Sequence, residues 1–300
     1  MPATAFDPAA AAVALAGELR AIGNPERAAA ERRYLKSDLE FFGVTVPDLR
    51  RVVTAAVREQ RAVQKDRADD GAVSKDRAVS KDRAAYKDPG LSKDDMTGWA
   101  VELWREPVHE RRMAAVEVLR LALEQLRADD LALVEALIRE ARTWALVDSL
   151  AGDIAGTIAL RDPAAWPRID GWASDPDFWV RRSAILCLLP GIRAGQPDLA
   201  RFERYALPML AEKEFFIRKA IGWAAREAAK RDPDWVAAWT AAHAPGMSGV
   251  TFREAVRRLP PETADRLRAV RAARPLCPWM GEGCGSRITG SSAATREVQS

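Results

Sequence analysis

What most constrains this chain is how often it starts a helix and how rarely it offers anything else. Over nearly every ordered stretch, apolar residues recur at three- and four-residue spacing among abundant Ala and Leu, and no alternating strand pattern competes. Val13, Leu15 and Leu19 begin a first helix, Asn24-Pro25 opens a second carrying Arg32, Arg33, Tyr34 and Leu35, and Val46-Pro47 opens a third. Further starts fall near Pro107, Asp130, Pro163, Asp177, Pro197, Glu214, Pro233 and Pro261. Proline fits the first helical turn and Asp the N-cap, so these residues read as punctuation.

The segments run about 10 to 18 residues with short breaks, so helix pairs return about every 35 to 40 residues. That is the period of HEAT-like solenoids, in which each pair buries its apolar face against its neighbours and the stack presents a concave surface. The expected fold is all-α, a HEAT-like helical-repeat α-solenoid forming one domain over residues 1–274. Two stretches interrupt the pattern. Within 61–95 a six-residue phrase recurs (Ala72-Val-Ser-Lys-Asp-Arg77, then Ala78-Val-Ser-Lys-Asp-Arg83), matching neither helix nor heptad. Its small apolar content predicts a disordered or weakly helical insert in a helix–helix loop. Residues 275–300, rich in Gly, Ser and Thr, read as a disordered tail, and Cys277 and Cys284 within it make a poor zinc site without a nearby histidine.

No run of 18 apolar residues exists, which excludes a membrane-spanning helix. The Ala-rich start lacks a basic stretch and reads as a helix rather than a signal peptide. Three cysteines, an odd number, fit a reducing cytoplasm better than a disulfide framework. Net charge is only +3, but Arg168 to Arg274 holds 19 Lys and Arg against 13 Asp and Glu, leaving the remainder net acidic. A basic excess confined to one half is what a nucleic-acid face requires; a solvated Arg-rich surface is the competing reading.

Chemistry has few candidates. The two histidines, His109 and His243, lie far apart, and no glycine-rich phosphate loop occurs, so acids, bases and aromatics remain. Trp144 and Asp148 are four residues apart and share one helical face, with Ala151 and Ala155 expected to continue the stripe and leave the carboxylate open. An aspartate on an apolar stripe is costly unless it is paired or functional, and a helix N-terminus or an arginine could equally satisfy it. Arg182, five residues into the helix capped by Asp177, suits either a phosphate or Asp148. Trp179 precedes it by three. Trp223 and Tyr34 are each either core or ligand-facing, and Gly222 would admit a close backbone or ligand.

Taken together these residues resemble a known family. Arg33-Tyr34-Leu35-Lys36, Phe41-Phe42-Gly43-Val44, Trp144 with Val147-Asp148, Trp179 with Arg182-Ser-Ala-Ile185, and Glu214-Phe-Phe-Ile-Arg-Lys-Ala-Ile-Gly-Trp223 are similar to blocks of the AlkD family of DNA alkylation repair proteins. Glu102-Leu103-Trp104, Glu227, Lys230 and Arg253-Glu254-Ala255 extend the likeness over roughly residues 8 to 270. The resemblance implies duplex DNA on the concave face and a DNA glycosylase, without cofactor or metal, that removes cationic N3- and N7-alkylated purines. It implies that Asp148, Trp144, Trp223 and Arg182 form the catalytic set, and that Tyr34, Lys36, Trp179, Arg181, Lys219, Arg253 and Arg257 meet DNA. A monomer suffices for such a clasp. The family often carries two tryptophans and an aspartate where this chain reads Thr143-Trp144-Ala145, so the first indole and the nearer acid are missing. Two other readings stay open: a relative that binds distorted or branched DNA without excision, and a HEAT-like scaffold for a protein partner.

Overall fold

The computed structural model describes residues 6–73 and 90–273. Helix α1 (Pro8–Ala21) is capped by Asp7, whose carboxylate takes the Ala9 and Ala10 N–H groups, and α2 (Pro25–Leu35) by Asn24. Helix α3 (Val46–Val73) runs on through the first part of the predicted insert, and α4 (Lys93–Arg105) begins in a capping box between Ser92 and Asp95. Helix thus occupies both ends of that insert; residues 74–89 and the 275–300 tail, with both its cysteines, lie outside the described residues. Then follow α5 (His109–Leu121), α6 (Leu131–Ala141) and α7 (Trp144–Asp148). A π-helical turn over Ser149–Ala155 leads into α8 (Gly156–Arg161), α9 (Trp166–Trp172), α10 (Phe178–Leu186) and α11 (Leu189–Arg193). The chain continues with α12 (Leu199–Met209), α13 (Phe215–Ala228), α14 (Pro233–His243), α15 (Gly249–Ala255) and α16 (Pro261–Ala272). Among the described residues there is no strand, only one bridge between Glu40 and Val108.

The repeat is visible in the bonds. Trp104 donates to Glu140, Arg139 to Asp175, Trp172 to Glu135, Arg182 to Asp148, Tyr205 to Asp170 and Lys219 to Glu254, across separations of 36, 36, 37, 34, 35 and 35 residues. One helix pair therefore stitches to the next at nearly constant offset, which is how an all-α helical-repeat solenoid holds its register. Between these stitches runs one apolar core that includes Leu15, Trp99, Ile138, Ile154, Ile185, Ile217 and Phe252. Val13, Leu15 and Leu19 all lie in α1, with Leu15 and Leu19 buried and Val13 exposed.

Two details position the site. The loop between α2 and α3 wraps the buried Glu110 carboxylate, which accepts the N–H groups of Phe42, Gly43 and Val44 at 2.9, 2.6 and 3.1 Å. A buried carboxylate holding three backbone donors fixes the path of that loop, and with it the approach of α2. At the other end, α13 and α15 cross at Gly222. A Cβ there would stand 2.6 Å from the Glu254 Cβ and 3.0 Å from the Thr251 carbonyl oxygen, so the close partner that glycine admits is a neighbouring helix.

Candidate active site

Helices α7, α10 and α13 lie side by side, and the end of α2 reaches over them. Together they enclose a cleft of about 390 Å³ lined by Tyr34, Trp144, Asp148, Arg182, Phe215, Phe216, Lys219, Trp223 and Arg226. Five of the residues expected to act together, Tyr34, Trp144, Asp148, Arg182 and Trp223, are thus brought to one place from four helices. Tyr34 is largely exposed and meets Trp144 edge to face, ring centroids 6.0 Å apart. Phe215, 53% exposed, stands at the lip.

The floor is an ion pair. Arg182 Nε and Nη2 donate to the two carboxylate oxygens of Asp148, each at 2.8 Å, while Nη1 donates to the Phe216 carbonyl. The Arg182 side chain is 3% exposed and that of Asp148 18%, so the carboxylate is the more open of the two to the cleft. Of the two partners considered for Arg182, the geometry therefore gives Asp148 and not a phosphate: a buried planar fork engaged by a carboxylate and a carbonyl has little left to offer a ligand. Each Asp148 oxygen keeps a second lone pair for the cleft.

The stripe expected from Ala151 and Ala155 does not form, because both are buried. The π turn after Asp148 changes the bonding step from i→i+4 to i→i+5, so α-helical spacing no longer predicts which side chains follow the carboxylate. Thr143 is buried and Ala145 half-buried, so neither replaces the missing aromatic and acid at the cleft.

The other expected contacts divide. Lys219 lines the cleft and pairs with the buried Glu254, which also holds Arg226. Burial pulls the Glu254 carboxyl upward, but Lys219 and Arg226 outweigh it and hold it below the ordinary carboxylate range. Trp179 lies outside the cleft lining and packs on Phe216 at 4.8 Å, supporting the residue whose carbonyl receives Arg182. Arg181 is turned away: it grips Glu212 at 3.0 and 2.8 Å and the carbonyls of Asp175 and Pro176. Arg253 and Arg257 are exposed on either side of Glu254 in sequence, outside the cleft. Lys36 lines a different groove instead. Phe215, Phe216 and Arg226 also line the cleft and are not expected from the sequence, although Phe216, Lys219, Trp223 and Arg226 recur at three- and four-residue steps on one face of α13.

The family model for DNA alkylation repair enzymes matches residues 15–70 and 72–259. The chain belongs to that family. A solved structure described as a predicted DNA alkylation repair enzyme from Enterococcus faecalis aligns over 80% of this chain and 97% of its own, at 19% identity and a TM-score of 0.64. AlkD2 from Streptococcus mutans aligns over 75% and 98%, at 15% identity and a TM-score of 0.40. No curated protein matches. Family membership supports the helical-repeat fold and a role in DNA alkylation repair, and among the described residues no helix is long and apolar enough to cross a membrane.

Proposed function

We propose that this member of the family is a monofunctional DNA glycosylase that hydrolyses the N-glycosidic bond of cationic N3- or N7-alkylated purines in duplex DNA. The observation that carries the reading is the Asp148 carboxylate, locked from below by Arg182 and open above to a cleft walled by Trp144, Tyr34 and Trp223.

An alkylated purine that already bears positive charge leaves without prior protonation: the C1′–N bond breaks, its electron pair goes to the base, and the base departs neutral. Positive charge then grows on the deoxyribose. Asp148 stabilises it electrostatically and orients a water whose oxygen bonds to C1′, the water's proton passing to the carboxylate or to solvent. Arg182 acts through Asp148, holding the carboxylate in one orientation. The indoles of Trp144 and Trp223 add cation–π attraction, worth about 0.5–2 kcal/mol each. Lys219 and Arg226 bring positive charge to the wall beside which the phosphates run, and such contacts make binding fall steeply with salt. The protein acts as a monomer in the cytoplasm.

The test is release of alkylated bases from methylated duplex DNA by the purified chain beside Asp148→Asn. Base release by the native chain and none by the variant supports the reading. Salt-sensitive binding of distorted or branched DNA with no abasic product would replace it with the non-catalytic reading.

A further inference from the structure

Lys36, Asp38, Arg112, Glu140 and Arg142 are among the residues that line a second groove of about 390 Å³. Lys36 lies two residues beyond Tyr34, and Arg142 two residues before Trp144. Two residues of chain reach at most about 7 Å, so the backbones that carry the two linings run close together at both places.

Three observations mark the groove as built for an anion. Lys36 and Arg142, with φ of 48° and 51°, are the two non-glycine residues with left-handed backbone among those described. Each ends a helix, α2 and α6, at a position where glycine is the usual occupant, so two long cations stand where no side chain is the easier choice. Arg112 is the third. Its guanidinium packs over the Trp104 ring at 4.9 Å, Nη1 donates to the Glu140 carbonyl at 2.8 Å, and Nε is buried without a partner. Burial draws Arg112 below the usual arginine range; Glu140 opposes this and the nearby charge of Arg142 adds to it. Two acids share the lining, and Glu140 stays charged while accepting the Trp104 indole N–H, but no ion pair joins Asp38 or Glu140 to Lys36, Arg112 or Arg142 among the described residues, and these three cations outnumber the two acids.

We infer that this groove is a second phosphate subsite, in which Arg112 anchors and Arg142 and Lys36 clamp a backbone phosphodiester of the strand whose damaged nucleotide occupies the cleft. The inference rests on the DNA reading above, and its test separates the two.

The experiment measures anisotropy of a labelled, undamaged duplex across a salt series with the full chain, Arg142→Ala and Arg112→Gln, each checked for native helicity. Loss of one phosphate contact is expected to weaken binding about tenfold and to lower the slope of log affinity against log salt by about 0.9. A duplex with one neutral methylphosphonate linkage at the contacted position should bind the native chain more weakly, yet bind Arg142→Ala no worse than the unmodified duplex does. Native-like affinity and slope in both variants overturn the inference while the DNA reading stands. So does unchanged DNA binding with lost affinity for a poly-glutamate probe, which would assign the groove to an acidic protein segment. Failure of the native chain to bind any duplex overturns the DNA reading itself.

Discussion

Replacing Arg182 by Met and Asp148 by Leu, singly and together, tests the ion pair at the floor of the cleft. Removing one partner of a buried pair costs about 3–5 kcal/mol, because the other charge is left without compensation. Arg182→Met strands a carboxylate that is 18% exposed and reachable by water, which places it near the lower end, about 3 kcal/mol. Asp148→Leu strands a guanidinium that is 3% exposed, which places it near the upper end, about 5 kcal/mol. The double variant removes both charges and is expected to cost at least about 2 kcal/mol less than the sum of the singles. In thermal unfolding the singles should fall by about 6 to 20 °C. Urea unfolding followed by far-ultraviolet circular dichroism supplies the free energies. Additivity within about 0.5 kcal/mol, or singles that each cost less than about 1 kcal/mol, would refute the coupled pair.

Three further outcomes are expected. Trp144→Ala and Trp223→Ala should each slow single-turnover excision about 2- to 30-fold, the equivalent of a lost cation–π contact, and unchanged rates would remove the indoles from the reaction. Gly222→Ala should destabilise by about 1–3 kcal/mol, read from the urea midpoint, because its Cβ would meet Glu254 and Thr251; a neutral effect would mean that the α13–α15 crossing yields. Stability should also fall in acid. Glu254 and Asp175, the latter held by Arg139, sit below their ordinary values of 4.5 and 3.8, so their contribution is complete above that range and disappears as pH drops through the depressed values. Urea midpoints that stay constant from about pH 6 to pH 3 would contradict this.

Much of this is readable in the sequence because the helices carry their own start signals. Asn24, Asp177, Glu214 and Asp232 cap α2, α10, α13 and α14 as side-chain acceptors, and Pro25, Pro233 and Pro261 occupy first helical positions. The gathering of Tyr34, Trp144, Asp148, Arg182 and Trp223 follows from motif blocks matched together. The π turn does not, since no residue type marks the extra backbone residue, and Ala151 and Ala155 lie buried within it. The partner of Arg181 is equally hidden, and the sequence leaves Arg182 open between a phosphate and Asp148. Which carboxylate each arginine meets is decided by the neighbouring repeat, 31 or 34 residues away, and not by local spacing.

The catalytic role proposed for Asp148 on alkylated DNA is tested most directly by base release from methylated duplex by the native chain beside Asp148→Asn, with both proteins shown to be folded and to bind duplex. N3- or N7-alkylpurine release by the native chain and none by the variant is the expected result. Equal release by both would contradict it.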